Sequence, residues 1–103
     1  MRIFQEPIEF EWDAGNRDKS QVKHRVANEE CEEVFFDPHK RFLREGIQCG
    51  EEVRHILLGR TFVGRALFIV FTMRRSKVRV ISARDLNRKE RLFYEKTHKN
   101  SEI

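Results

Sequence analysis

Proline and cysteine each occur only twice among the 103 residues, and glycine five times. So little proline and glycine excludes collagen-like and low-complexity classes. No internal repeat or linker divides the chain, and residues 1–103 are expected to form one domain. Cys31 and Cys49 have no CxxC spacing and no secretory leader before them, which excludes a disulfide scaffold and predicts free thiols in a reducing cytoplasm. The longest apolar run, Ala66–Phe71, is far short of the ~20 residues a membrane helix needs, so no membrane association is expected. His24, His39, His55 and His98 show no i, i+4 pairing, and neither cysteine stands at ligand spacing from one of them. A phosphate-cradling glycine loop, a nucleophile elbow and a dinucleotide fingerprint are likewise missing. Metal-free acid–base chemistry, or binding alone, is what these absences leave.

What the chain has in quantity is charge, 37% of its residues, together with nine phenylalanines that argue for a folded core. The net +4 is unevenly spread. Residues 72–103 hold 10 Lys/Arg against 4 Asp/Glu, whereas residues 1–71 hold 11 against 13. A basic pole of this kind suits a polyanion such as nucleic acid, or an acidic protein partner.

Hydrophobic periodicity predicts an α+β fold. Ile8, Phe10 and Trp12 alternate with Glu9 and Glu11 as in a half-buried strand. Asp13 offers an N-cap for an exposed helix over residues 14–24 that presents Lys19, Lys23 and His24. Asn28 offers a second N-cap, before a helix that sets Cys31, Val34 and Phe35 on one face and stops at Asp37-Pro38. Residues 38–50 read as an irregular loop or a short strand. EVRHILLG, RALFIVFT and KVRVISA then form a three-stranded antiparallel meander with turns around Thr61–Gly64 and Met73–Ser76. The middle run is apolar on both faces, as a covered central strand is. Asp85 or Asn87 caps a final helix, with Asn87 and Glu90 spaced as a capping box.

Three clusters could carry chemistry. Lys23-His24 joins a phosphate-holding cation to a side chain that titrates near neutrality, although cations also simply favour a helix C-terminus. Glu52 and Arg54 share a strand face, as a structural ion pair or as a proton acceptor beside an anion clamp. On the last strand strict alternation puts Arg79 with Ile81 and Ala83, opposite Val78, Val80, Ser82 and Arg84. An arginine among core-facing neighbours needs a partner, either a carboxylate such as Glu52 or a ligand phosphate. Glu90 and Tyr94 share a face of the final helix. Arg88, Lys89 and Arg91 on that helix read as a solvated face or as part of the basic pole.

The ordered set "FEWD" at 10–13, "KH" at 23–24 followed by Val26, "EE" at 29–30 leading to "VF" at 34–35, and Asp37-Pro38 resembles the BrnT toxins of bacterial type II toxin–antitoxin systems. Glu52 and Arg54 ahead of Gly59, Gly64-Arg65, "ISAR" at 81–84, and "ER" at 90–91 with Tyr94 continue the resemblance to about residue 96. It implies a RelE-like fold and a cytoplasmic, metal-independent and cofactor-free endoribonuclease that inhibits translation. The implied partner is a BrnA-like antitoxin encoded in the same operon, which forms a hetero-oligomer with the toxin and alone contacts operator DNA. The implied catalytic set is Lys23, His24, Glu52, Arg54, Arg79, Arg84 and Tyr94, with Lys19, Arg88, Lys89 and Arg91 as an RNA-binding rim. In that reading Arg79, Arg84 and Lys23 hold the phosphate, Glu52 or His24 is the base, and the other of the two, or Tyr94, is the acid. A noncatalytic module that binds nucleic acid or antitoxin and serves autoregulation is the alternative. The sequence departs from the family pattern at Asn16, Ser20, Arg25 and Asn28, where lysine, asparagine, glycine and phenylalanine are usual. Arginine in the left-handed conformation that a glycine C-cap adopts costs about 1–2 kcal/mol, and the position adjoins Lys23-His24.

Overall fold

The computed structural model describes residues 7–101, with side chains as far as residue 96. Two short helices, α1 (Lys19–His24) and α2 (Asn28–Val34), precede four strands, β1 (Arg41–Cys49), β2 (Glu52–Arg60), β3 (Ala66–Arg74) and β4 (Lys77–Asp85), and a closing helix α3 (Arg88–Ser101). All neighbouring strands are antiparallel and lie in chain order, so the sheet is a four-stranded meander and the fold is α+β.

The period of two places apolar side chains on both faces of the sheet. Leu57, Leu67, Ile69, Phe71, Val78, Val80 and Ala83 pack under α2 with Val26, Cys31, Val34 and Phe35. Phe35 meets Phe10 and Phe71 edge-on, with centroids 5.3 and 5.1 Å apart. On the opposite face Leu58, Ala66, Leu86 and Tyr94 pack with Leu43, Ile56 and Phe68 beneath α3. Each large side chain so buried stabilises the fold by ~1.5–3 kcal/mol. The approach of α2 to the sheet requires Gly59, since a Cβ there would lie 2.7 Å from Val34 Cγ1.

The expected three-stranded meander is present as β2 to β4, and the expected capping box closes α3: Asn87 Oδ1 accepts the Glu90 N–H and Glu90 Oε1 accepts the Asn87 N–H, both at 2.9 Å. The fourth strand, however, is β1, whose bulges around Phe42–Ile47 break the alternation that would have marked it. Residues 8–12 form no strand of the sheet. Among the described residues their backbone pairs with it through one parallel bridge, Phe10 to Val78, held by Glu11 N–H to Val78 O and Val78 N–H to Glu9 O, each 2.8 Å. The first helix begins at Lys19 rather than residue 14, because Asp13 O takes the Asn16 and Arg17 N–H groups in a turn and Asp18 lies in the left-handed region at φ 62°.

Asn16, Ser20, Arg25 and Asn28, which set this sequence apart from the pattern it resembles, each have a local structural account. Buried Asn16 donates to Glu11 O and Val80 O and accepts from Asp13 N–H. Ser20 Oγ accepts the Ala83 N–H at 2.8 Å. Asn28 does not cap α2, whose N-cap is Ala27; its amide instead exchanges hydrogen bonds with Asp18. Arg25 adopts φ 56°, ψ 37°, and the Val26 N–H reaches Ser20 O while the Arg25 N–H reaches Gln21 O, so α1 ends in an αL turn around a non-glycine residue. Arg25→Gly is expected to raise unfolding free energy by about 0.5–1 kcal/mol, relief of the Cβ strain of the left-handed conformation exceeding the lost backbone entropy. A urea midpoint that does not rise, at unchanged m-value, would contradict this.

Candidate functional site

A single β-bulge decides where the charged side chains of β4 go. Phe71 pairs with Val80 and Val70 with Ser82, so Ile81 is the extra residue. Val78, Val80 and Ala83 therefore share the core face, and Arg79, Ser82 and Arg84 share the other, in register with Thr72, Val70 and Phe68. Strict alternation, which grouped Arg79 with Ala83, fails at that residue.

Arg79 is not held by Glu52. Its side chain, 11% exposed, donates to Glu11 at 3.0 Å and to both oxygens of Asp13 at 2.8 and 2.9 Å. Gly15 makes room, as a Cβ there would lie 2.8 Å from Arg79 Nη2. Arg84 is likewise engaged: its guanidinium forks onto both Glu90 oxygens at 2.8 Å, donates to Asp85 O and lies 3.8 Å over the Phe68 ring. Arg54 pairs with Glu52 at 2.8 Å, the structural outcome of that motif, and Arg74 extends the chain of charges from Glu52 to Glu11. Arg54 stands in one row with Thr72 and Arg79, two strands away or ~10 Å. Tyr94 is buried, and its hydroxyl donates to Asp37 Oδ2 at 2.6 Å. Burial and the neighbouring Asp37 push the Tyr94 phenol up, which keeps it protonated.

Lys19, Lys23 and His24 form the contrast. All three are exposed on α1, and none makes a side-chain hydrogen bond or ion pair with the described residues. With Arg17, Asp18, Ser20 and Val22 they line a groove of about 440 Å³ whose other wall is Ile81 and Ser82 of the bulge. Arg17, Ser20, Val22 and Ser82 are residues of this groove that motif reading misses; Ser82 joins it at the β4 bulge, which strict alternation does not reveal. A larger groove, about 640 Å³, is lined by Glu51, Glu52, Val53, His55, Thr72, Met73 and Arg74. Two carboxylates and one already paired arginine give it the wrong charge for a polyanion. Arg88, Lys89 and Arg91 are exposed on α3, and Arg91 lies close enough to Asp85 to favour its ionised form. Cys31 is inert, its buried thiol pushed up to about 12 by desolvation and by Glu30 and Glu32.

Arg65 closes one end of α1. Its Nε and Nη2 fork onto Asp85 at 2.8 and 3.1 Å, and Nη1 reaches Glu30 at 3.1 Å and Arg25 O at 2.8 Å.

A family model described as ribonuclease toxin, BrnT, of type II toxin–antitoxin system matches residues 12–90. The chain belongs to that family. Its members are ribonuclease toxins, and type II membership implies a protein antitoxin as partner. The matched span takes in α1, the whole sheet and the first turn of α3, and thus every residue of the α1 groove. Arg91 and Tyr94 lie beyond it. No curated protein sequence matches the chain. No helix among the described residues is long and apolar enough to cross a membrane.

The carboxylates that occupy the arginines set the acid response. Arg79 holds Asp13 down to about 2, Arg65 lowers Asp85, and Arg84 lowers Glu90. Folded-state values below the unfolded ones mean that these groups stabilise the fold fully above the unfolded value and lose that contribution as pH falls through the folded one. For Asp13 the window runs from 3.8 down to about 2. Urea midpoints are expected to be lower at pH 3 than at pH 5; equal midpoints would show that the pairs contribute nothing.

Proposed function

We propose that this single domain is a cytoplasmic, metal-independent endoribonuclease toxin whose active groove lies between α1 and the bulge of β4. The supporting observation is the split among its cations. The arginines at 54, 65, 79 and 84 are already neutralised by carboxylates, whereas Arg17, Lys19 and Lys23 line the groove beside His24 with no ion pair among the described residues. An RNA phosphate gains most from cations that need not first leave a carboxylate.

In this reading His24 is the base. It takes the proton of a 2′-hydroxyl, whose oxygen attacks the adjacent phosphorus; the bond to the 5′-oxygen breaks, and that oxygen takes a proton from water. Lys23 and Lys19 meet the charge that builds on the phosphoryl oxygens. Glu52, committed to Arg54 and Arg74, and Tyr94, committed to Asp37, support the fold rather than the proton transfers. Arg79 and Arg84, on the same face of β4 as Ser82, brace the strand that carries the groove wall. Arg88, Lys89 and Arg91 attract RNA or receive a BrnA-like antitoxin, which neutralises the toxin and carries the complex to operator DNA.

Purified protein is expected to cut an RNA oligonucleotide to a 2′,3′-cyclic phosphate and a 5′-hydroxyl, and to leave a 2′-deoxy substitution at the scissile position uncut. Cleavage of the deoxy substrate would sink the 2′-hydroxyl mechanism. Induced expression should arrest growth and translation, with relief by the neighbouring gene product; growth without arrest would favour the binding-only alternative.

A further inference from the structure

We propose that Arg65 is a positioning residue for this ribonuclease groove, fixing the aim of Lys23 and His24 without touching the substrate; the role rests on the reading above. Little besides Arg65 holds the end of α1. Six residues are too few for a helix that is stable alone, and α1 buries none of its side chains. Its first turn is tied by the Asp18–Asn28 side-chain pair and by Ser20 Oγ on the Ala83 N–H. Val26, fully buried, fixes where the chain goes after the helix. Between them lies the last turn, the part that carries Lys23 and His24, and there the backbone passes through a strained left-handed arginine.

Arg65 is what grips that turn. Nη1 donates to Arg25 O at 2.8 Å and Nη2 lies 3.4 Å from His24 O, so the guanidinium holds the carbonyls directly following the two groove side chains. The same planar group forks onto Asp85, at the end of β4, and reaches Glu30, in the first turn of α2. It thereby fixes the α1 terminus to both structures that bound it, and Asp85 and Glu30, which would otherwise repel each other, become a rigid mount. Lysine cannot substitute, because one ammonium lacks the flat array of five donors that reaches two carboxylates and two carbonyls together. With the fork removed, Lys23 and His24 keep their chemistry but lose their aim, and small misplacements of reacting groups are costly in rate.

The test compares the full-length protein with Arg65→Lys and Arg65→Met. It uses RNA-cleavage kinetics together with amide hydrogen exchange at Arg25 and Val26, whose N–H groups close the end of α1. In Arg65→Lys, kcat is expected to fall about tenfold or more. KM should stay within about twofold, since Arg17 and Lys19 lie away from the turn that Arg65 grips and Lys23 keeps its charge in the groove. Arg25 and Val26 should exchange faster relative to core amides such as Leu57 and Ile69. Arg65→Met, if folded, should show the same pattern more strongly, and Arg65→Lys alone decides the matter if it is not. Wild-type kcat in a folded Arg65→Lys protein, or exchange at Arg25 and Val26 as slow as in wild type, would overturn the positioning role while leaving the ribonuclease reading intact. A wild-type protein that does not cut RNA would overturn both.

Discussion

His24→Ala is expected to lower the rate of RNA cleavage by about 10²–10⁴-fold, the range that a positioned general base contributes. RNA affinity should change little, because Arg17, Lys19 and Lys23 remain in the groove. Stability should stay within about 0.5 kcal/mol of wild type, since the His24 side chain is exposed and makes no hydrogen bond or ion pair with the described residues. This combination of lost rate, kept binding and kept fold separates a catalytic histidine from one that merely suits a helix C-terminus. Glu52→Gln gives the opposing control. The Glu52 side chain is 28% exposed and sits 2.8 Å from Arg54. A surface pair of that kind is worth ~0–1 kcal/mol, so both rate and stability should change little. Single-turnover cleavage by His24→Ala at the wild-type rate would remove His24 from the mechanism.

How far the sequence alone leads can be judged at particular residues. The meander, the Asn87–Glu90 box and the α2 face with Cys31, Val34 and Phe35 were legible, because local periodicity and capping chemistry act over a few positions. β1 was obscured by bulges and by the charge that an edge strand carries. For the site, the Lys23-His24 corner was legible as a motif, and the Glu52–Arg54 pair as a pair. The partners of Arg79 were not, since Glu11 and Asp13 lie 68 and 66 residues away and chain order says nothing of such a meeting. Nor was the common face of Arg79, Ser82 and Arg84, which a one-residue bulge at Ile81 creates by reversing the alternation. The consequence for function is a reassignment. Arginines that looked like phosphate ligands are braced by acids, whereas Arg17, Lys19 and Lys23 line the α1 groove with no ion pair among the described residues.

Asp37→Ala is expected to destabilise the protein by about 3 kcal/mol or more, the largest stability effect anticipated for a polar side chain here. Asp37 is buried at the end of α2, and its two oxygens serve three elements. Oδ1 accepts the His39 N–H at 2.8 Å; Oδ2 accepts the Arg60 N–H at 2.8 Å and the Tyr94 hydroxyl at 2.6 Å. Alanine leaves three donors without their acceptor, two part-buried N–H groups and a buried phenol inside the α3 interface; the buried phenol alone costs ~1–3 kcal/mol when stranded, and the N–H groups add to it. Tyr94→Phe removes one donor and leaves the carboxylate its two backbone partners, so its expected cost is only about 1 kcal/mol. The two substitutions also bear differently on the groove. Loss of Asp37 loosens the seat of α3 and, with it, the Glu90 that holds Arg84, whereas Tyr94→Phe keeps the ring packed and should cut RNA at close to the wild-type rate. Urea unfolding of both variants measures the difference. Asp37→Ala within 1 kcal/mol of wild type would show that α3 is seated by its apolar contacts alone.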